Sequence, residues 1–346
     1  MLTSIIYLIA FISSMGNPIV LPALPFIMDD LALTPMQMGM MISVYALPGA
    51  VLLPFYGMLS DRMGRKCLLL TSLVLCVLGS LLCAAAQNFS LLLAGRALQG
   101  LSITPLDAMC FTLASDLFEG RKRMAMAERC SAVQFFCVVI VPLVLSLLIP
   151  LCGWRSAFCL AAMLGGAALI LSLPATIPYR PSGAMSMRRF LRHAASVLLS
   201  RRLCSLFAVR ILAAVIIFGV VYPHLPLLMV QKLSFAPELV GPMFSLYALG
   251  MFAGSLVVQR MVRHMKEWQT ALLGGGFLLC AVLFLAASSS LMLIGAGLLC
   301  VGMGTGLILT LNTAHVSMAA TPETHGTTMS VYSTVFRLGQ AIAPGI

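Results

Sequence analysis

Four ionisable side chains stand deep inside apolar runs of this chain: Arg96 and Asp107 in "LLLAGRALQGLSITPLDAMCF", Arg210 in "SLFAVRILAAV" and Arg337 in "TVFRLGQAI". A charge at the centre of a bilayer costs roughly 2.5–3.5 kcal/mol even on lenient insertion scales, so each must face a partner or a wet cavity. Arg96, Gly100, Ile103 and Asp107 recur at the spacing that puts them on one helix face. The two charges stand about 16 Å apart at 1.5 Å per residue, too far to pair directly. A base towards one side and an acid towards the other suits the lining of a central cavity. Asp107 is the one acid placed deep in a span, and a carboxyl able to take up and release a proton there suits a proton carrier. Asn17 in "SSMGNPIVLPALP", and Asn312 with His315 three residues later on a shared face, complete the polar set expected to line that cavity.

A second cluster lies in a connection, "GMLSDRMGRK" at 57–66. Gly57 lets a neighbouring helix approach closely. Asp61, one turn on, is placed to meet the positively polarised N-terminus of another helix. Gly64 permits a tight turn. An ordinary basic loop would explain Arg62, Arg65 and Lys66, but not the two glycines and the acid at these spacings.

These residues need a frame, and the composition supplies it. The chain is 61% hydrophobic and 9% charged, with a mean hydropathy of +1.05, whereas soluble domains carry about 25% charged residues. Apolar runs of membrane-spanning length, roughly 20 residues, are read at 3–27, 36–58, 68–87, 90–117, 129–150, 156–177, 204–229, 238–259, 268–287, 291–317 and 327–346. Helices satisfy their own backbone groups in lipid, so an all-α integral membrane protein is expected. Sixteen of the 21 Lys and Arg fall in four alternate connections, around 62–66, 121–129, 180–202 and 260–266. By the positive-inside rule these face the cytoplasm. The net charge of +11 therefore reports topology, not nucleic-acid binding.

The basic stretch at 179–202 divides an N-terminal six-helix half, 1–178, from a C-terminal half, 203–346. "SVYAL" at 43–47 returns as "SLYAL" at 245–249, in the same slot of each half. No twelfth span follows the eleventh, so helix 12 is expected to be missing. The eleven cysteines are scattered as small apolar residues, with no metal-ligand spacing. Neither HExxH nor paired deep acids are present for an intramembrane enzyme, nor GxxxxGK for ATP-driven transport. No enzyme activity, cofactor or metal is expected.

"GMLSDRMGRK" resembles the signature of the major facilitator superfamily between its second and third helices, with Gly57, Leu59, Asp61, Arg62, Gly64, Arg65 and Lys66 all fitting. "GRALQG" resembles that family's R-x-x-Q-G motif in helix 4. "GWRSAF" at 153–158 resembles its entry to helix 6, and "YPHLPLLMVQKL" and "GQAIAPG" look like helices 7 and 11 of the drug:proton antiporter branch. The resemblance implies two six-helix halves with inverted repeats. It pairs Arg65 with Asp116 at the inner end of the fourth span, and sets Asp61 against the eleventh helix as a cytoplasmic gate. It also implies a multi-pass protein of a bacterial inner or plasma membrane, working as a monomer on a small-molecule substrate and protons, by export of small organic compounds. A sugar or metabolite facilitator or symporter of the same fold, or an inactive truncated remnant, is the alternative. Two features depart from the branch: the fifth span keeps only Pro142 of a glycine–proline motif, and Asn17 stands where many members carry an acid.

Overall fold

The computed structural model describes residues 2–177, 187–287, 290–319 and 325–345, without side chains at 57, 58, 61, 187–191, 202, 259, 263, 325, 326 and 345. Among the described residues the regular structure is helical throughout. Eight helices among the described residues are long and apolar enough to cross a membrane. The sequence reading counted eleven spans, and the other three are helical too, but each is shortened or made more polar by what it carries.

The first span is broken. α1 (Leu2–Ser14) and α2 (Leu24–Asp30) are joined by turns through Gly16-Asn17-Pro18, in which Val20 and Leu21 both bond back to the Asn17 carbonyl. Pro18 has no N–H to continue the ladder. α3 (Pro35–Leu52) starts at a Thr34/Gln37 capping box and leads through Leu53–Phe55 into α4 (Tyr56–Met63). α5 (Arg65–Ala84), α6 (Phe89–Leu117), α7 (Gly120–Cys152) and α8 (Arg155–Ser172) complete the first half. The bases at 121–129 thus ride on the inner turns of α7 rather than in a loop. Asn88 is the N-cap of α6, its Oδ1 accepting from Leu91 N at 2.9 Å.

Of the 179–202 stretch, the start lies outside the described residues. The rest is α9 (Met187–Leu199) and the first turn of α10 (Arg201–Ala214). It is a packed helix rather than a free linker, because Val197 and Leu203 are buried against Val316 and Val331. α10 continues through π-helical turns at Val215–Val221 and Leu228–Lys232 that flank α11 (Tyr222–Leu227), where Pro223 and Pro226 remove two ladder donors. α12 (Val240–His264), α13 (Glu267–Ala286), α14 (Leu291–Ala319) and α15 (His325–Ile342) follow.

The repeat seen in one pentapeptide runs much further in the packing. A Cβ on Gly100 would strike the Tyr45 carbonyl, and one on Gly302 would strike the Tyr247 carbonyl. A Cβ on Gly39 would meet Pro344, and one on Gly241 would meet Pro142. In every one of these pairs of positions the displacement is 202 residues, the same as between the two pentapeptides. The two halves therefore repeat the same close approaches, in the same chain direction, at equivalent helix crossings. Gly250 and Gly254 of α12 face Gly302 and Gly306 of α14, which lets those backbones meet as small residues do in lipid.

The apolar core has three parts. One, on the side opposite the basic connections, joins both halves: Ile19, Leu24, Met41, Val141 and Phe158 pack in the same cluster as Phe218, Tyr222, Phe244 and Leu298. On the basic side the cores are separate. Ile5, Leu69, Leu106 and Cys130 belong to the first half, and Phe207, Val316 and Tyr332 to the second. The outer cluster is shared by both halves, whereas on the inner side the two apolar clusters are separate and the halves meet where α15 packs along α3, with Ser330 Oγ donating to the Leu53 carbonyl at 3.4 Å.

Candidate functional site

At the inner end of the first half, Gly64 takes φ 80° and ψ 148° between α4 and α5, a backbone that disfavours side chains. This turn delivers Arg65 into the helix packing at 5% exposure. Its Nε donates to Asp116 Oδ2 at 3.0 Å, and Asp116 is itself only 13% exposed. Arg65 Nη1 also donates to Ser60 Oγ, and Lys66 Nζ donates to the Leu173 carbonyl at the end of α8, 2.8 Å away. Arg62 is exposed. The surroundings of Gly57 and the side chain of Asp61 lie outside the described residues, so the contact expected between Asp61 and the eleventh helix does too.

At mid-depth, Arg96 is enclosed rather than open to a cavity, with an exposure of 0%. The break in the first span explains how it is held. Without a continuing ladder, the Gly16 carbonyl is free to accept from Arg96 Nη1 at 3.0 Å. The same nitrogen donates to Gln99 Oε1 at 2.8 Å, and Gln99 passes the contact to Ser80 Oγ at 2.9 Å. The guanidinium carbon sits 4.2 Å from the Tyr45 ring centroid. Arg96 Nη2 has no partner, and neither does the buried Oδ1 of Asn17. Gly100, expected to line the cavity, instead receives the backbone of α3 at Tyr45. It is a packing glycine, since no side chain fits there.

Asp107 is half-buried and accepts from Gln134 Nε2 at 2.7 Å. Gln134 also reaches Ser13 Oγ at 3.3 Å. One glutamine on α7 therefore ties α6 to α1. From the second half, Arg337 lies beside Gly49 of α3 and interacts with the Tyr45 hydroxyl and, through its charge, with Asp107. The sequence reading gave Arg337 a structural or gate-related role rather than a ligand-binding one. Nothing in the local pattern of α15 signals a side chain that reaches the other half.

The second-half candidates separate. Asn312 is 4% exposed and bridges helices: Nδ2 donates to the Leu206 carbonyl at 3.1 Å, and Oδ1 accepts from Tyr332 OH at 2.7 Å. His315 does not join it. A step of three residues turns about 60° around a helix, enough to point His315 at α13, where Nε2 meets Glu267 Oε2 at 3.3 Å near the basic side. Arg210 is held by aromatic rings. Its guanidinium stacks 4.0 Å from the Phe336 centroid and 4.7 Å from Tyr332, and Nε is buried without a partner.

The Trp-Arg pair at 154–155 has a partner that the sequence did not suggest. Trp154 Nε1 and Arg155 Nη1 both donate to Asp30 Oδ2, at 3.0 and 2.9 Å. Arg155 Nη2 also donates to the Ala86 carbonyl at 2.8 Å. The Trp154 hydrogen bond, and then the Arg155 one, hold the Asp30 carboxyl below its ordinary value of 3.8. A carboxyl with a lowered folded-state pKa stabilises the protein above its ordinary value, and that contribution disappears as pH falls through the lowered one. We expect Asp30→Asn to lower the melting temperature of purified protein slightly at pH 7. The gap to wild type should close as the pH drops below the ordinary aspartate value. A gap that persists at low pH would mean that the carboxylate charge is irrelevant to this latch.

The profile of the Major Facilitator Superfamily matches residues 6–344. A multidrug resistance protein MdtL from Citrobacter koseri is 27% identical over 293 residues, covering 84% of this chain and 75% of the relative. A bacterial homologue of the human lysosomal transporter Spinster, solved in an inward-facing and unoccupied conformation, superposes with a TM-score of 0.77 at 15% identity over 99% of this chain and 80% of that one. The nucleoside transporter NupG superposes with a TM-score of 0.82 at 10% identity over 100% of this chain and 90% of that one.

Proposed function

The chain belongs to the major facilitator superfamily, and on that footing we propose that it exports small organic compounds by alternating access, driven by proton entry. The multidrug resistance name of the C. koseri relative supports the export direction. The observation that carries the alternating-access reading is the split of the apolar core: one cluster seals both halves on the outer side, while two separate clusters lie on the inner side. Alternating access needs two halves that meet differently on the two sides of the membrane.

Within this reading Gly57, Asp61, Arg62, Gly64, Arg65, Lys66 and Asp116 form the cytoplasmic gate. Asp107 is the proton carrier, because it is the deep acid, it is half-buried, and it sits on the seam facing a cation of the other half. Arg96 and Gln99 hold α6 against the broken first span. His315 is not part of the proton path in this reading, since Glu267 occupies it.

The test uses everted membrane vesicles that accumulate a dye when respiration acidifies the lumen. Wild type should concentrate it, and Asp107→Asn should retain downhill exchange yet lose uphill accumulation. Accumulation that survives in Asp107→Asn would remove Asp107 from the coupling. Accumulation unaffected by collapsing the pH gradient would remove proton drive altogether.

A further inference from the structure

We propose that the compound carried is an organic anion, and that Arg337 is the residue that binds it. This rests on the transporter reading above and adds to it the charge of the substrate. The described residues place three guanidinium groups at membrane depth, Arg96, Arg210 and Arg337, against one carboxylate, Asp107. Among the described residues none of the three lies within 4 Å of a carboxylate; the close ion pairs involve Arg65, Arg155 and His315.

All three cations meet neutral groups, Arg337 through the Tyr45 hydroxyl. Arg96 has the Gly16 carbonyl, Gln99 and the Tyr45 ring. Arg210 has the faces of Tyr332 and Phe336. Ring faces and carbonyls stabilise a cation without cancelling its charge, so the field of both remains positive. Each also keeps a buried nitrogen with no acceptor, Nη2 of Arg96 and Nε of Arg210.

Arg337 differs from the other two in position. It is half-buried, stands on the seam between the halves, beside Gly49 of α3, and faces Asp107 without closing to an ion pair. The position 202 residues earlier is Phe135, which fills the matching seam by packing on Phe252 at 5.1 Å between centroids. One seam is closed by two rings, and the other carries a cation at the equivalent position.

A cationic substrate entering this space would meet a net positive interior. An anionic one would supply the negative charge that the guanidinium groups lack, and Arg337 can bind a carboxylate or sulfonate through two parallel N–H donors.

Two xanthene dyes of opposite charge, carboxyfluorescein and rhodamine 123, test this in proteoliposomes holding the purified chain and an imposed pH gradient. The expected result is carboxyfluorescein transport at least about tenfold faster than rhodamine 123, Arg337→Gln erasing the preference and Arg337→Lys keeping part of it. The wild-type comparison stands even if a variant fails to fold. Transport of rhodamine 123 alone, or at an equal rate, overturns the anion inference and leaves export standing. If neither dye moves, the export reading falls and the inference goes with it.

Discussion

Asp116→Ala is expected to stop transport and to destabilise the protein, the largest effect of any single charge removal on the inner side. Arg65 and Asp116 are 5% and 13% exposed, so solvent screens their interaction little. Deleting one member of a buried pair costs about 3–5 kcal/mol, because the charge left behind has already lost its water. Arg65 keeps its bond to Ser60, so the lower part of that range is expected. The functional loss follows from position. The pair joins the start of α5 to the end of α6 next to the Gly64 turn, and α4 leads from that turn to the inner end of α3, where Ser330 of α15 touches Leu53. Without the pair, α4 and α5 lose the fixed angle that lets the inner ends of the halves meet. The check is a double-mutant cycle with Arg65→Ala, read by melting temperature and by dye accumulation. Adding Arg65→Ala to Asp116→Ala should restore part of the stability, since it removes the stranded charge, but none of the transport. Wild-type melting and transport in Asp116→Ala would show that the pair neither supports the fold nor gates it.

Much of this arrangement could be read from the residues alone, for definite physical reasons. The spans and the inner side depend on apolar runs and charge bias, which are local in the sequence, while the Arg65–Asp116 pairing was implied by the family resemblance of the 57–66 motif. The relation between halves was visible as five residues, and the packing extended it to Gly39 with Gly241, Gly100 with Gly302, and Pro142 with Pro344. What stayed hidden depends on contacts between distant residues. Asp30 meets Trp154 and Arg155 more than a hundred residues away, and no local pattern marks an acid at a helix end as their acceptor. His315 shares a helix face with Asn312 only loosely, and the neighbour on the far edge of that face, Glu267, decided its role. Arg96 was expected to face a cavity because it is charged. The break at Gly16-Asn17-Pro18 exposes a carbonyl for it instead, which a count of apolar residues through 3–27 does not reveal.

The outer seal gives the second large effect. On the outer side the halves meet at two equivalent crossings: Gly39 of α3 against Pro344, and Gly241 of α12 against Pro142 of α7. Equivalent positions need not tolerate substitution equally. A Cβ at Gly39 would lie 2.7 Å from Pro344 Cβ and 3.2 Å from its carbonyl oxygen, a shallower overlap than the one at Gly241. A Cβ at Gly241 would run into the Pro142 carbonyl and the Ser146 hydroxyl. The first is helix backbone, and Ser146 is tied to that same carbonyl by a 2.7 Å bond, so neither can step aside. Gly241→Leu must therefore push α12 away from α7 at the outer end, breaking the 2.7 Å bond from Ser245 Oγ to the Val139 carbonyl that holds the seam. Since the outer seal is what distinguishes the inward-facing state, the population moves towards the outward-open one, and a transporter held in one state turns over slowly. We expect Gly241→Leu to cut dye export by about tenfold or more, corresponding to about 1.4 kcal/mol or more of added bias. Gly39→Leu should lose much less. Cys137 provides the structural readout, being fully buried in the outer core of α7. In a variant retaining Cys137 as its one cysteine, a membrane-impermeant maleimide added from outside should label Gly241→Leu faster than its parent. Unchanged labelling with normal export would show that the seam closes elsewhere. Labelling that rises as much in Gly39→Leu would show that the two crossings are energetically equivalent, and that the repeat extends from geometry to energy.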